Sequence, residues 1–539
     1  MSSAFVLSLD VGTSSVRAFV YNESAQVVAR QQLPLQSSSP QPGHIEWDAE
    51  ALLQQCVTVM RGALAQLSSD ECARVRSIGI ATQRSSIVTW RRSSQPAVAL
   101  HPIISWQDVR TVPDCALWNA SLTVRAIKGA CSLLHTVSRS ERFKYGLRFH
   151  LAPTHSSIRF HWLLHNVAAV AQAAAERDLL FGTIDTWLVY RLTGGAVHAT
   201  DVSCVSATGL YDPFALDWAV SVSVLGIPLH SLPQVRATDG GFGSTTPDWF
   251  GRAIPIGAVC GDQQAALFAQ RCRPGDAKMT LGTSCLLDVN LGATCVAPPP
   301  GVVPLIGWRL ARHDKPTWIM EGGALDCGSL VDKAVSWRLF DSAATAATQA
   351  LSVADTQGVT VVPAMSGLAA PWNANDARGA IAGLTLAADR RHIGRAVLES
   401  IAFRAFELCD IVAARSIKVD GGVSRNAFVM QLLAVLVDKE LVVDSTMEAT
   451  ARGAAFFAGL ASGVWADEAA LDAANANVAQ HHYRPYGATA AASDEVPREA
   501  LYGGDRKLAL AQYRLWRKAV RAGLGWAGES AEVNPEKHL

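Results

Sequence analysis

The sequence predicts an α/β protein built from two domains of similar topology. A chain of 539 residues is longer than a single hydrophobic core usually supports. Strand-like and helix-like hydrophobic patterns alternate over roughly the first 250 residues, as they do in layered α/β domains. A unit of strand, Gly-Thr-Ser turn and strand occurs at residues 9–15 and again at 279–285. An internal repeat of this kind indicates duplicated topology.

The first half is predicted to start as three strands joined by tight turns. β-rich runs cover residues 5–9, 16–21 and 27–29, and turn residues separate them. Helical periodicity follows at 52–67, and a further strand is expected at 77–81.

The apolar stretch at 162–175 is predicted to be one helix packed in a core. It is rich in Ala and is interrupted by His165, Asn166 and Gln172. A membrane-spanning helix needs about 20 apolar residues, so we expect no membrane span here.

The second half is predicted to repeat the strand-turn-strand unit of the first. A strand at 254–260 leads into a helix at 263–270, and strands at 278–281 and 286–290 enclose the turn at 282–284. The elements expected further along are a helix at 397–412, a strand at 417–419 and a helix at 428–436.

The end of the chain is predicted to form one more amphipathic helix after a polar, Ala-rich linker at 488–504. The residues expected on its apolar face are Leu508, Ala511, Leu515, Trp516, Ala519 and Val520. We therefore predict domains over 1–252 and 253–485, followed by a linker and amphipathic helix over 486–539.

Composition excludes several classes of function. Lys plus Arg equals Asp plus Glu at 47 each, so the chain lacks the basic surplus of a nucleic-acid or anionic-membrane binder. The 11 cysteines contain no C-x-x-C pair, which indicates reduced thiols rather than disulfides or a zinc site. Residues 1–10 lack the basic start of a signal peptide, and we expect a cytoplasmic protein.

The two Gly-Thr-Ser turns are candidate phosphate-binding loops. The turn at 12–14 offers consecutive backbone N–H groups and hydroxyls, and Gly12 has no Cβ to block a phosphate. Arg17 suits charge-assisted bonds to phosphate, and Asp10 suits a hydrated Mg²⁺. A single turn of this type is more often an ordinary hairpin. The second turn, at 282–284, favours the phosphate interpretation, because two facing turns would hold one polyphosphate from both sides.

Asp262 is the candidate catalytic carboxylate. It follows a strand and a glycine and opens a predicted helix. One interpretation is a helix N-cap, a position that Asp favours. The other is a general base that takes a proton from a substrate hydroxyl as that oxygen attacks a phosphorus atom. One carboxylate could serve both purposes.

Two further segments are candidate ligand sites. Asp420-Gly421-Gly422 follows a strand and would let a flat ligand lie against the backbone, although a β-turn explains it as well. Residues 106–108 and 183–187 mix aromatic and polar side chains, as polyol sites do, but core tryptophans explain the mixture equally. No Gly-Lys dipeptide occurs, which excludes a Walker A loop.

Ordered motifs over about residues 4–466 together resemble the FGGY carbohydrate kinases, and within them the glycerol kinases, particularly the animal group called glycerol kinase 5. The motifs that carry this resemblance are Asp10-x-Gly-Thr-Ser-Ser-x-Arg17, Gly43-His-Ile-Glu46-x-Asp48, Ile78-Gly-Ile-Ala-Thr-Gln83-Arg84, Trp106-Gln-Asp-x-Arg110-Thr, Phe181-Gly-Thr-Ile-Asp185-Thr-Trp187, Gly261-Asp262-Gln263, Gly282-Thr283, Ser366-Gly-Leu-Ala-Ala-Pro371-Trp372, Asp376-Ala-Arg378-Gly379 and Asp420-Gly-Gly422.

The resemblance implies an actin-like, ribonuclease H-like fold in which a cleft between two domains binds ATP and Mg²⁺. The residues that match phosphate or metal contacts are Asp10, Gly12, Thr13, Ser14, Arg17, Gly282 and Thr283. Asp262 matches the catalytic base and, with Asp10, a metal contact. Gly328, Gly422 and Asn426 match other nucleotide contacts, although Asp332 stands where glycerol kinases usually carry Gln.

The implied polyol site is matched only in part. The matching residues are Arg84, Trp106, Asp262 and Gln263. Ser85 stands where glycerol kinases carry a Glu that accepts hydrogen bonds from substrate, and Leu286 replaces a Phe. The pocket tyrosine corresponds to Thr154 in a gap-free comparison, with Tyr145 as another candidate.

The expected activity is phosphorylation of a small polyol by ATP, with glycerol as the leading substrate. Another short polyol or a ketose is the nearest alternative. An actin-like ATPase without a small substrate, or a regulatory protein that has lost turnover, remains open as well. The expected partners are ATP and a small polyol, with no nucleic acid and no membrane span. A homo-oligomer is left open.

Overall fold

The computed structural model describes residues 4–374, 376–444, 448–476, 478–487 and 496–524. Two large mixed β-sheets organise it, one in each half of the chain. The strands of the first sheet, in spatial order, are Ile256–Gly261, Val75–Thr82, Phe5–Val11, Ser15–Asn22 and Val27–Pro34. The strands of the second sheet are Val302–Trp308, Thr317–Ala324, Cys285–Gly292, Ala277–Leu281, Ile417–Asp420, Leu441–Asp444 and Gln480–Tyr483.

The predicted duplication is visible in the strand pairing. Phe5–Val11 pairs antiparallel with the strand that follows its Gly-Thr-Ser turn and parallel with Val75–Thr82. Ala277–Leu281 likewise pairs antiparallel with Cys285–Gly292 and parallel with Ile417–Asp420. Each sheet therefore carries its Gly-Thr-Ser turn at the equivalent end of the equivalent strand.

Smaller sheets and many helices surround these two layers. A four-stranded sheet contains Glu46–Trp47, Ile103–Ile104, Ile87–Arg91 and Leu179–Thr183. Two-stranded sheets pair Tyr211–Asp212 with Asp217–Trp218, Ala199–Asp201 with Gln234–Arg236, and Thr360–Val362 with Ala380–Ala382. The helices of eight or more residues are Ala49–Leu64, Val112–Ala120, Leu122–Ser138, Ser156–Asn166, Ala168–Ala175, Ile184–Leu192, Asp262–Ala269, Gly328–Ser336, Arg390–Ile411, Ala427–Val437, Ala449–Ser462, Glu468–Asn475 and Arg506–Ala522.

The helix Ala449–Ser462 joins the two halves, because it packs on the first sheet and on the helix Asp262–Ala269. Two glycines allow this close approach. A Cβ on Gly453 would lie 1.9 Å from the carbonyl oxygen of Ala265, and a Cβ on Gly79 would lie 2.1 Å from that of Ala454. Larger side chains at these positions would push the helix away from the sheet.

The strand Ile256–Gly261 closes the edge of the first sheet by pairing with Val75–Thr82, although the predicted second domain includes it. The chain passes to the second half through the helix Asp262–Ala269, which follows this strand directly. The boundary at residue 252 itself stays a prediction.

The predicted single helix at 162–175 is wrong in one respect, because the structure has two helices, Ser156–Asn166 and Ala168–Ala175. Val167, with φ −119° and ψ 102°, separates them in an extended conformation. The expected core packing is correct for Leu163, Val170 and Ala173, which are buried. Within the described ranges, no helix is long and apolar enough to cross a bilayer.

The predicted C-terminal helix is present as Arg506–Ala522, but part of its predicted apolar face is wrong. Leu508 and Leu515 are 53% and 38% exposed. The buried face consists of Ala509, Tyr513, Trp516 and Val520. This face turns toward the second half because Trp516 donates its indole N–H to the carbonyl of Val361, at 2.8 Å.

Part of the predicted linker also packs against the second half. Val496 and Leu501 are buried, and the Tyr502 hydroxyl donates to Glu399 at 2.5 Å. Residues 488–495 and 525–539 of the predicted C-terminal segment lie outside the described residues.

Candidate active site

Three neighbouring strands of the first sheet end at one edge, where the predicted catalytic residue lies. Val11 and Gly261 are both register partners of Thr82, so the residues that follow them emerge side by side. The side-chain amide of Gln83 donates to the carbonyl of Gly12 at 3.2 Å. The first Gly-Thr-Ser turn and the segment that starts at Asp262 therefore share one edge of the sheet.

The first turn brings together three predicted nucleotide residues and one predicted polyol residue. The Gly12 N–H donates to the carbonyl of Ser15 at 3.0 Å, which closes the hairpin. The indole N–H of Trp106 donates to the hydroxyl of Thr13 at 3.2 Å. Ser14 is exposed at the tip of the turn. The predicted phosphate loop and the predicted polyol site are thus in direct contact.

Arg17 and Asp10 form an ion pair, with 2.8 Å between Nη2 and Oδ2. Both lie on the antiparallel strands that the first turn connects, where they are register partners. In this arrangement Arg17 partly neutralises the carboxylate of Asp10, the residue predicted from the sequence to bind Mg²⁺.

The second turn is surrounded by other predicted nucleotide residues. The Gly282 N–H donates to the carbonyl of Ser284 at 3.0 Å, and the Gly328 N–H donates to the carbonyl of Gly282 at 2.8 Å. The Ser329 N–H donates to the carbonyl of Thr283 at 3.2 Å. The start of the helix Gly328–Ser336 is therefore fastened to this turn.

The glycine pair after Ile417–Asp420 completes this surface. A Cβ on Gly421, which has φ +93°, would lie 2.9 Å from the backbone nitrogen of Gly282. Gly422 is exposed and has open space where a Cβ would be. Asn426 caps the helix Ala427–Val437 by accepting from the N–H of Val429 at 3.1 Å. The side-chain oxygen of Asn426 is thereby committed to the helix.

Asp262 is the first residue of the helix Asp262–Ala269, and Gly261 occupies the N-cap position. The N-cap interpretation of Asp262 is therefore not what the structure shows. Its Oδ1 accepts from the N–H of Gln263 at 2.8 Å and lies 3.5 Å from Nε of Arg84. Its side chain is about a quarter exposed, at 24%, so it remains open to a ligand.

Arg84 connects the two halves of the chain. Its Nη2 lies 2.6 Å from Oε2 of Glu321, which belongs to the second sheet. Ser85, the next residue, has φ +66° and is buried. The Ser85 hydroxyl donates to the carbonyl of Ala207 at 2.7 Å, so its proton is used inside the protein.

Two residues of the second sheet donate hydrogen bonds to the side chain of Gln263. Its side-chain oxygen accepts from Nζ of Lys278 at 2.5 Å and from the hydroxyl of Thr280 at 3.2 Å. Thr280 lies two residues before Gly282. Because Gln263 follows Asp262 directly, these bonds link the catalytic segment to the strand that carries the second turn.

The electrostatics favour a cation between Asp10 and Asp262. Burial raises the pKa of Asp10 to about 6, and the negative charge of Asp262 adds to this effect while Arg17 opposes it. Burial also raises the pKa of Asp262, and Arg84 opposes the shift. In the part of the chain that the structure describes, no group of three or more metal-ligating side chains occurs. Mg²⁺ commonly binds through one or two carboxylates, waters and phosphates, so this pair fits it.

Leu286 and Thr154 are two of the positions that depart from the resemblance. Leu286 packs against Gly323, since a Cβ on Gly323 would lie 3.0 Å from Cδ2 of Leu286. Thr154 is anchored beside the Trp106 segment, because Arg159 donates to the carbonyls of both Thr154 and Ser105 at 2.5 Å.

Tyr145 packs near Phe214, with ring centroids 6.0 Å apart. Asp332 is exposed on the helix Gly328–Ser336.

Sequence reasoning missed three charged residues next to the site: Lys278, Asp288 and Glu321. All three lie in strands of the second sheet, and Lys278 and Asp288 are completely buried. A lysine and an aspartate inside otherwise apolar strands were a usable signal, because such charges are rarely buried without a paired role.

A known protein family matches both halves of the chain. Residues 5–269 match the N-terminal domain of the FGGY family of carbohydrate kinases, and residues 277–462 match its C-terminal domain. The chain is 38% identical over 477 residues to Glycerol kinase 5 of Mus musculus, covering 87% of this chain and 88% of that protein. It is 36% identical over 544 residues to the Glycerol kinase of Halorhodospira halophila, covering 98% of both.

Solved structures resemble the whole chain as well. The crystal structure of Plasmodium falciparum glycerol kinase with ADP has a TM-score of 0.82 and 26% identity, covering 97% of this chain and 98% of that one. A ligand-bound xylulose kinase from Lactobacillus acidophilus has a TM-score of 0.76 at 18% identity, covering 97% of this chain and 99% of that one, and supports the fold alone.

Proposed function

This chain belongs to the FGGY family of carbohydrate kinases, and from that premise we propose that it transfers the γ-phosphoryl group of ATP to glycerol, giving glycerol 3-phosphate and ADP. Glycerol kinases that cover nearly the whole chain support this substrate. The observation that carries the proposal is the position of Asp262. Asp262 lies beside Arg84, at the same edge of the first sheet as the first Gly-Thr-Ser turn. The next residue, Gln263, accepts a hydrogen bond from Thr280, which lies in the strand that leads into the second turn.

In the proposed reaction Asp262 is the general base. A hydroxyl of the polyol gives its proton to the Asp262 carboxylate while the hydroxyl oxygen forms a bond to the γ-phosphorus. The bond between that phosphorus and the β–γ bridging oxygen breaks, and ADP leaves. The raised pKa of Asp262, caused mainly by burial, makes it a stronger proton acceptor than an exposed carboxylate.

ATP is proposed to lie between the two Gly-Thr-Ser turns. The residues proposed to meet its phosphates are Gly12, Thr13, Ser14, Arg17, Gly282 and Thr283, and those proposed to meet the rest of the nucleotide are Gly328, Gly422 and Asn426. Mg²⁺ held by Asp10 and Asp262 would neutralise charge on the phosphates. Closure of the cleft would exclude water and so limit hydrolysis of ATP.

The polyol is proposed to bind between Arg84, Trp106, Asp262 and Gln263. Ser85 belongs to the same pocket, but the bond from its hydroxyl to Ala207 leaves only oxygen lone pairs for a ligand. A substrate hydroxyl that loses a carboxylate acceptor forfeits about 1–3 kcal/mol if it stays unpaired. A different short polyol or a ketose is therefore the second candidate.

Two alternatives lack a small acceptor: an ATPase that uses turnover for conformational change, and a regulatory protein without turnover. The contact between Trp106 and Thr13 and the ion pair between Arg84 and Asp262 support a bound acceptor. We also propose a cytoplasmic location, which the 11 free cysteines support.

A coupled assay of ADP release over a panel of polyols and sugars tests the proposal. ADP release that depends on glycerol, together with glycerol 3-phosphate detected as product, is the expected result. Equal ADP release without any acceptor would instead indicate an ATPase. Retained ATP binding without turnover on the whole panel would indicate a regulatory protein.

A further inference from the structure

A row of charged residues crosses the second sheet behind the proposed polyol site. Asp288 is the register partner of Lys278 on one side and of Glu321 on the other. Cross-strand partners project from the same face of a sheet, so the three side chains form one line. Lys278 and Asp288 are fully buried, and 14% of the Glu321 side chain is exposed.

The negative charges of Asp288 and Glu321 destabilise this row unless cations lie next to them. Like charges placed directly opposite each other on neighbouring strands destabilise a sheet, and the effect is larger in a buried position. Nζ of Lys278 lies 3.1 Å from Oδ2 of Asp288, and Nη2 of Arg84 lies 2.6 Å from Oε2 of Glu321. Each carboxylate thus has one cation, and Asp288 and Glu321 are direct cross-strand neighbours.

The row continues into the proposed catalytic segment at both ends. Lys278 donates to the side-chain oxygen of Gln263 at 2.5 Å. Arg84 lies 3.5 Å from Asp262. Because Asp262 and Gln263 are consecutive, the contacts close into a ring that runs from Asp262 through Arg84, Glu321, Asp288, Lys278 and Gln263.

Protonation follows from the charges in the ring. It contains three carboxylates, from Asp262, Asp288 and Glu321, and two cations, from Arg84 and Lys278, which leaves one negative charge unless a proton is bound. The pKa of Glu321 is raised to about 7: burial is the largest cause, Arg84 opposes the shift, and the negative charge of Asp288 adds to it. A proton bound by Glu321 makes the ring neutral.

We propose that Asp288 is a positioning residue for phosphoryl transfer: through Lys278 it orients Gln263, and through Glu321 it orients Arg84, so that both hold the polyol against Asp262. The inference rests on the proposed function. It matters in this chain because Ser85 supplies no carboxylate to the pocket, so Arg84 and Gln263 carry the orientation of the substrate.

The substitution Asp288→Asn keeps the shape of the side chain and removes its charge. We expect kcat/KM for glycerol to fall by about 10-fold to 100-fold, the effect of a small displacement of orienting groups, with KM for ATP within about twofold of wild type. Asp288→Glu, which restores the charge, should recover part of the loss. An unchanged kcat/KM, or an equal loss of ATP binding, would overturn the proposal.

The dependence of kcat/KM on pH separates positioning from simple loss of stability. Glu321 faces Arg84 and Asp288, with Lys278 and Asp262 in the next contacts, and its ionisation should give an inflection near pH 7 in the wild type. Asp288→Asn should move that inflection to lower pH, because the neighbouring carboxylate that raises the pKa of Glu321 is gone. Glu321→Gln should remove the inflection.

Glu399→Gln is the matched control. Glu399 is also a buried carboxylate, paired with Arg395 at 2.9 Å, but it lies outside the ring. This variant should lower thermal stability without moving the pH profile. A pH profile that Glu399→Gln and Asp288→Asn change alike would contradict the proposal. If Asp288→Asn does not fold, Asp288→Glu decides: a kcat/KM for glycerol below that of the wild type with unchanged KM for ATP supports the proposal, and an unchanged kcat/KM overturns it.

Turnover by the wild type distinguishes failure of the proposed function from failure of the proposed positioning role of Asp288. If the wild type phosphorylates no acceptor in the panel, the proposed function fails. Crystal structures of the wild type and Asp288→Asn then test positioning alone. Movement of the Arg84 and Gln263 side chains in the variant supports it, and unchanged side chains refute it.

Discussion

The guanidinium of Arg84, at the end of a strand of the first sheet, lies 2.6 Å from the carboxylate of Glu321, in a strand of the second sheet. The same guanidinium lies 3.5 Å from Asp262. One side chain thus connects both halves of the chain to the proposed base. Any movement that separates the two sheets at this point must lengthen one of these ion pairs.

Arg84→Lys should lower kcat/KM for glycerol by about tenfold or more, because an ammonium group cannot reproduce the fork that meets two carboxylates. Steady-state kinetics with saturating ATP measures this. Arg61→Lys is the control, since Arg61 binds the carbonyls of Asp248 and Trp249 far from the site, at 3.1 and 2.7 Å. Equal effects of the two variants would show that Arg84 has no special role.

Asp262→Asn should lower kcat by about 100-fold or more, because an amide cannot accept the proton of the attacking hydroxyl. ATP affinity measured by calorimetry should stay within about twofold. Asp276→Asn changes another aspartate, bonded to Ser416 at 2.8 Å, and should leave kcat unchanged. Phosphoryl transfer near the wild-type rate in Asp262→Asn would refute the assignment of the base.

Gly328→Ala should weaken ATP binding, because its Cβ would lie 2.6 Å from the carbonyl oxygen of Gly282 and would displace the second turn. Calorimetric titration with ATP measures the change. Gly129→Ala is the comparison, since a Cβ there meets open space in the helix Leu122–Ser138. That variant should keep its ATP affinity and gain about 0.5–1 kcal/mol of stability. Unchanged ATP affinity in Gly328→Ala would argue against the nucleotide position.

Asp10→Asn should reveal a pH-dependent cost of burying Asp10. Its pKa is raised from 3.8 to about 6, so the folded protein keeps a proton that the unfolded chain has already lost. Asp10 therefore destabilises the fold progressively as pH rises from about 4 to about 6, and the cost is constant above that window.

Because Asn does not titrate, the stability of Asp10→Asn relative to wild type should rise by up to about 3 kcal/mol across that window. Thermal unfolding of both proteins from pH 4 to pH 8 without nucleotide measures this. A difference that stays constant with pH would show that Asp10 is not buried as an acid. In a separate assay, the variant should bind MgATP more weakly.

Trp516→Ala should destabilise the second half by about 3–5 kcal/mol, because Trp516 is fully buried and its N–H bonds to Val361. Leu508→Ala, on the exposed side of the same helix, should change stability by no more than about 0.5 kcal/mol. Differential scanning calorimetry measures both. Similar melting temperatures for the two variants would contradict the observed face of the helix.

Much of the fold was predictable because local patterns determine it. Alternation and helical spacing located the strand Phe5–Val11 and the helix Ala427–Val437 to within a few residues. The apolar face of the last helix was predicted less well. Leu515 and Tyr513 both fit an amphipathic pattern. Tyr513 is the buried one, because it packs against Phe406, with ring centroids 5.0 Å apart, and donates its hydroxyl to Glu407 at 3.3 Å.

The amino-acid sequence by itself determined the duplicated strand-turn-strand units and the location of Asp262 after a strand, because turn chemistry and periodicity act over a few residues. Tertiary structure alone decided that Lys278, Asp288 and Glu321 form one row and that the Ser85 hydroxyl turns toward Ala207. Strand register and packing bring together residues far apart in the chain, and neither follows from the identity of any single residue.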